Sequence, residues 1–289
     1  MKTYLLIFLL LLFTIGCQPQ ISPEEVSPLP EIEEISQYDE PIPVDSGFGE
    51  IEQEDEFEIN PLPDAISVFD NGKEYVLTDP TLEYTHGVLG DTIEAKSLTI
   101  IEGNNISKIE FSPQIFEGLY PLLGDLNGDG EKEIIATLSG NGAGAQLVVY
   151  DQMGDKIASS DTLSSGWRHA LTVAPFGPDG GWELVDISKP HVSKEVEYFQ
   201  LKDDKLVKVA SIQRYSTHTI GSRNLELFGV IVEQGRYLLI VPTPDFKSIA
   251  AIGRTSDGAE EVWKKEIGER IYNISVEDNE IIVNGKYVS

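Results

Sequence analysis

The chain has 289 residues, enough for one large all-β domain or two smaller ones, and at 40% hydrophobic it can bury a sizeable core. A formal charge of −28 excludes nucleic acid and anionic lipid as partners of the folded part, because neither gains from added negative charge; cations remain admissible. No nucleophile elbow, phosphate loop or redox cysteine pair is present, and the single cysteine cannot form an internal disulfide.

In chain order, residues 1–16 read as a secretory signal. Lys2 precedes an apolar run from Tyr4 to Ile15, too short to span a bilayer as a helix, which takes about 20 residues. The run closes on Thr14-Ile15-Gly16-Cys17, which resembles a bacterial lipobox, although Leu is more usual where Thr14 stands. The resemblance implies that Cys17 becomes the first mature residue and carries acyl chains. More than one chain anchors a protein stably to a membrane, here at the cell envelope on the outer membrane or cell surface. A plain signal peptide with an incidental cysteine is the alternative.

Residues 17–63 read as an acidic, disordered tether. Gln18 to Pro63 hold 14 Asp or Glu, no Lys or Arg, and eight of the 16 prolines. Such a segment cannot bury enough apolar surface to offset its ordering entropy, and its charges repel. A docking tail for a basic partner is the other reading. Residues 64–289 stay acidic, with 20 Lys and Arg against 35 Asp and Glu.

From Asp64 onward short β-rich runs alternate with Gly, Asn and Asp turns. "EIIATLSGNGAGAQLVVYDQMGDKIASS" from Glu133, "ELVDISKPHVSKEVEYFQLKDDKLVKVAS" from Glu183 and "YLLIVPTPDFKSIAAIGRTSDGAEEVWKK" from Tyr237 each read as strand, loop, strand, tight turn, strand. Each follows another apolar strand: "YPLLGD" at 120, "HALTVAP" at 169, "NLELFGV" at 224. Four strands per unit, spaced 50 and 54 residues apart, predict an all-β fold built as a β-propeller. Weaker copies flank these, "HGVLGDTIEAKSLTII" at 86 and "RIYNISVEDNEIIVNG" at 270. The last is half a unit, and the Asn-Gly hairpin "AISVFDNGKEYVLT" at 65–78 is expected to complete it and close a ring of five blades, with six as the alternative count.

Between the first two strands of the 120 unit lies "DLNGDGEKE", with Asp125, Asn127, Asp129, Glu131 and Glu133 at alternate positions. It follows an EF-hand loop for six residues and then departs, since Ala136 replaces the twelfth-position Glu and both flanks read as strand. The same loop between strands resembles the calcium loop of FG-GAP or VCBS repeats, the units of integrin-type β-propellers. That resemblance implies Ca²⁺ held by Asp125, Asn127 and Asp129 side chains, the Glu131 carbonyl and Glu133. An unmetallated turn is the alternative.

On the face opposite that loop the register gathers His86, His169, His191 and His218, near Trp167, Arg168, Arg223, Asn224, Tyr84 and Tyr120. These read either as ordinary loop and channel-filling residues or as a pocket rimmed by Arg168, Arg223, Asn224 and the histidines, suited to a small anion, a sugar or a carboxylate. A transition metal on several histidines is a third reading. First strands offer few carboxylates for catalysis. Asp91 and Asp125 fall at the wrong end, which leaves Glu226. The sequence therefore predicts a monomeric, non-enzymatic, calcium-stabilised binding module for a protein, glycan or small ligand at the envelope, with a carbohydrate-active propeller hydrolase as the rival.

Overall fold

A computed structural model describes residues 58–84 and 86–288. The signal at 1–16, the candidate lipidation site Cys17 and the tether as far as residue 57 lie outside the described residues. Among the described residues the chain forms β-strands and no helix. β1 (Val68–Asp70), β2 (Lys73–Thr81), β3 (Glu94–Glu102) and β4 (Asn105–Glu110) pair in order as an antiparallel meander. β5 (Ile115–Phe116) bridges β3 to the next unit. That unit is β6 (Leu122–Gly124), β7 (Glu133–Gly140), β8 (Ala143–Tyr150) and β9 (Lys156–Ser159). A third meander joins β10 (Arg168–Ala174), β11 (Glu183–Ser188), β12 (Glu195–Lys202) and β13 (Lys205–Gln213). The fourth runs through β14 (Gly229–Glu233), β15 (Arg236–Pro242), β16 (Ser248–Thr255) and β17 (Gly258–Glu266). The last has three strands, β18 (Ile274–Glu277), β19 (Glu280–Val283) and β20 (Lys286–Tyr287).

Turn chemistry explains the hairpins. Asn71-Gly72 and Gln234-Gly235 both place two successive residues at positive φ, 47° and 79° in the first, 52° and 78° in the second. Two successive positive φ values fit a right-twisted two-residue hairpin, and Gly at the second position meets no Cβ penalty there. Middle strands such as β7 and β16 are buried along almost their whole length, whereas β17, "GAEEVWKKE", turns its charges outward and blunts an open edge.

Successive meanders pack face to face on apolar side chains. Tyr75, Leu77, Leu98 and Ile100 meet Ile134, Leu138 and Val148. Ile135, Leu147 and Val149 meet Leu184, Phe199 and Leu206. Val185, Ile187 and Val196 meet Leu239, Val241 and Ile252. Ile240 and Ile249 meet Ile274, Ile281 and Val283. Each fully buried aliphatic side chain contributes roughly 1.5–3 kcal/mol, so these stacks dominate the stability. A smaller cluster of Leu89, Leu119, Trp167 and Leu225 comes from the segments that link the units.

Three expectations are corrected. The amino-terminal hairpin does not complete the last unit. β2 pairs with β3, Tyr75 opposite Ile100 and Leu77 opposite Leu98, and β18–β20 form a separate sheet with no pairing to β1–β4 among the described residues. The apolar residues of β2 find partners in β3 across the short segment 82–93, which costs less loop entropy than a closure with Ile274. Second, residues 86–93 are not the first strand of a unit. A Cβ at Gly87 would sit 2.3 Å from the Asp91 carbonyl oxygen, and Val88 N–H bonds back to His86, so the stretch is a tight turn. Third, Pro61 bridges to Thr78 and Leu62 is buried, so the last residues assigned to the tether belong to the fold.

Candidate active site

The turn at 86–93 and the end of β5 bring two glutamates together. Ala95 of β3 pairs with Phe116 of β5, and the residues that follow this pair, Glu94 and Glu117, lie close enough for the Glu117 charge to act on Glu94. Two like charges so close repel. Both carboxyl groups are buried. Burial first, and the Glu117 charge second, push the Glu94 carboxyl up to about 8. Asp91 adds a smaller push, while the Gly118 N–H bonds the carboxylate and pulls the other way.

Glu117 is held on both oxygens. One accepts from His86 Nδ1 at 2.7 Å, and the other accepts from the Ser139 hydroxyl. The glutamate bond raises the His86 pKa. Tyr84 stands edge-on to His86 with ring centres 5.8 Å apart, and burial together with Glu117 pushes its phenol up to about 12. The His86 side chain is 36% exposed, so the otherwise buried group reaches solvent there.

Beside this group lies a stack built on Trp167. His169 lies parallel to the indole at 5.6 Å, His191 stacks at 6.3 Å, and His218 meets it edge-on at 5.1 Å. His218 Nε2 lies 2.7 Å from the Ser222 carbonyl, which can only accept, so the proton sits on Nε2. His218 Nδ1 then accepts from His191 Nε2–H at 2.8 Å. Burial pushes His169 down to about 3, with His218 adding to it. His191 falls to about 4 through burial, then through His218 and His86, and burial also lowers His218.

The structure thus brings the four histidines into one neighbourhood and places the other candidates elsewhere. Arg168 turns away between the second and third meanders. It is buried, binding Asp186 through Nε at 2.7 Å and Glu197 through a terminal nitrogen at 2.6 Å, with Phe199 beneath the guanidinium. Arg223 pairs with Asp64 and Asp91, and Asn224 donates to the Tyr272 carbonyl at 2.9 Å, so both tie segments together. Glu226 is exposed. Glu94 and Glu117 escape sequence reading because "DTIEAKS" reads as a turn on the far face. The tight turn at 86–93 moves Glu94 to the histidine side.

The candidate calcium loop is internally hydrogen-bonded. Asp125 accepts from the N–H groups of Gly128, Asp129 and Gly130, and Asp129 accepts from Glu131 N–H. Asn127 donates its amide to Asp129 at 2.8 Å and to Glu133 at 3.0 Å. The Glu133 pKa is raised by burial, with Asp129 and Asp125 contributing. Lys132 reaches Asp70 instead of these carboxylates. The hard oxygen donors suit Ca²⁺. The geometry fits less well, since the Asn127 amide would have to turn its oxygen inward, and among the described residues no three acidic, His or Cys side chains form a metal cluster.

No protein-family model and no curated protein matches the sequence, so the likeness to FG-GAP or VCBS repeats has no family match behind it. Solved structures match in part. One is a candidate 6-phosphogluconolactonase from Bacteroides fragilis, with a TM-score of 0.31 and 13% identity over 75% of this chain and 75% of its own. A second candidate 6-phosphogluconolactonase, from Bacteroides uniformis, has a TM-score of 0.29 and 11% identity over 78% and 76%. An exotype rhamnogalacturonan lyase has a TM-score of 0.36 and 11% identity over 71% of this chain and 50% of the lyase. The likeness is one of β-rich architecture. The expectation that the chain is not an enzyme is nonetheless corrected. These neighbours are named as enzymes, and Glu94 and Glu117 form a buried carboxyl pair that was hidden in the sequence.

Proposed function

We propose that the chain is a propeller-type, carbohydrate-active hydrolase whose chemistry is carried by Glu94 and Glu117. The observation behind this reading is the buried pair itself, with one carboxyl pushed up to about 8 beside a second that is held by His86 and Ser139. Glycoside hydrolysis uses such a division of labour. Glu94 keeps its proton at neutral pH and gives it to the departing glycosidic oxygen. The Glu117 carboxylate faces the sugar carbon as positive charge develops there, and water supplies the hydroxyl that completes the new hemiacetal. Water also returns a proton to Glu94. His86, exposed at the mouth, orients Glu117.

Reducing-sugar release from a panel of neutral oligosaccharides tests this. Wild type should release sugar above the blank, and Glu117→Gln should lose at least a hundredfold in kcat/KM. No release by wild type from any member, or undiminished release by the variant, refutes it.

Two further parts of the proposal come from the sequence. Acyl chains on Cys17 would anchor the enzyme at the envelope, and Cys17→Ser should free it from membranes. Ca²⁺ at Asp125, Asn127, Asp129, Glu131 and Glu133 would hold the β6–β7 turn.

A further inference from the structure

A small cavity of about 30 Å³ opens beside Glu117 and is also lined by Tyr120, Thr137, Trp167 and His169. Two of its lining residues, Trp167 and His169, each bury a side-chain nitrogen, Nε1 and Nδ1, that has no hydrogen-bond partner among the described residues. Burying a polar group without a partner is costly, so two on neighbouring lining residues point to an occupant that pairs them.

The chemistry of the wall restricts that occupant. Trp167 Nε1–H can only donate. The Glu117 carboxylate accepts. A neutral His169, with its pKa pushed far below 6.5 by burial, offers one donor and one acceptor nitrogen. An anion would meet the indole N–H but would be driven off by Glu117. A cation would meet Glu117 but find Trp167 presenting a proton. A hydroxyl group both accepts and donates, and so satisfies both ends. The volume admits one or two water-sized groups, which is enough for a hydroxyl or hydroxymethyl and too little for a phosphate.

We propose that Trp167, His169 and Glu117 form a subsite for a hydroxyl or hydroxymethyl substituent of an uncharged sugar, so that the enzyme takes neutral glycosides and rejects phosphorylated ones. This rests on the hydrolase reading of Glu94 and Glu117 and narrows its substrate class.

The test follows the Trp167 indole N–H resonance in ¹⁵N-labelled full-length protein, assigned with Trp182→Phe and Trp263→Phe, both away from the stack. D-Galactose, D-glucose and L-rhamnose are titrated, then galactose 6-phosphate and glucose 6-phosphate. At least one neutral sugar should shift the Trp167 resonance saturably, with at least tenfold weaker response to both phosphate esters, equivalent to about 1.4 kcal/mol. His169→Phe should weaken the response, and Glu94→Gln should preserve it. Silence of the resonance with all three sugars, or an equal response to the phosphates, overturns the subsite. A shift without hydrolysis of any glycoside refutes the catalytic reading alone. Hydrolysis with a silent Trp167 refutes the subsite alone.

Discussion

Replacing Glu94 with Gln should change how stability depends on pH more than it changes stability itself. Glu94 opens β3 beside Glu117, and its carboxyl is pushed from the ordinary 4.5 up to about 8 by burial and by the Glu117 charge. Between these values the folded state holds a proton that the unfolded state has released. The native state therefore binds more protons, and stability falls as pH rises through that window. At about 1.4 kcal/mol per pH unit, wild type loses on the order of 4–5 kcal/mol by pH 8 relative to pH 4.5 from this group alone. Gln keeps the carbonyl oxygen that can accept from Gly118 N–H, and it cannot ionise. Urea unfolding of both proteins at pH 5, 6.5 and 8.5 measures the difference. The variant should match wild type or fall slightly below it at pH 5, and exceed it by several kcal/mol at pH 8.5. Parallel stability profiles would show that Glu94 ionises normally and would refute the paired-carboxylate geometry.

The histidine stack should act in the opposite sense. His169 is pushed down to about 3 by burial and by His218, and His191 to about 4. The unfolded state then binds more protons between those values and 6.5, so stability should fall steadily as pH drops below 6.5, and His169→Gln should flatten that slope in urea titrations. Arg168→Met should cost about 3–5 kcal/mol in urea unfolding, because Asp186 is left buried without its cation and Glu197 keeps only Lys208. Adding Asp186→Leu and Glu197→Met should recover most of it. At calcium a hundredfold above its dissociation constant, binding at the 125–133 loop should stabilise by about 2.7 kcal/mol. Chelator should then lower the Tm, Asp129→Ala should remove the difference, and identical melts with and without chelator would reduce the loop to a turn.

The meanders that begin at Glu133, Glu183 and Tyr237 are legible in the sequence because their signals are local. Apolar and β-branched runs alternate with Gly, Asn and Asp turns, and β7–β9, β11–β13 and β15–β17 follow them. The grouping of His169, His191 and His218 follows from that same register, whereas His86 joins them through the turn at 86–93. What stayed hidden is non-local. Asp186 and Glu197 claim Arg168 from strands 18 and 29 residues away, with nothing in the intervening sequence to announce the pairing. The amino-terminal hairpin resembles the end of a later unit, and only the apolar match of Tyr75 and Leu77 to β3 decides its partner. Glu94 was obscured because residues 86–90 read as a strand and "DTIEAKS" from 91 as the turn after it, while Gly87 and the Val88–His86 bond fold 86–93 into a tight turn.

The acid role of Glu94 is tested most directly by varying the leaving group. On a natural glycoside, Glu94→Gln should lower kcat/KM by about 10²–10⁴, because no proton reaches the departing oxygen. On a 2,4-dinitrophenyl glycoside of the same sugar, whose leaving group departs without protonation, the variant should retain activity within about tenfold of wild type, while Glu117→Gln should be inactive on both. Equal losses of the Glu94→Gln variant on both substrates, or full activity of Glu117→Gln on either, would contradict the assignment.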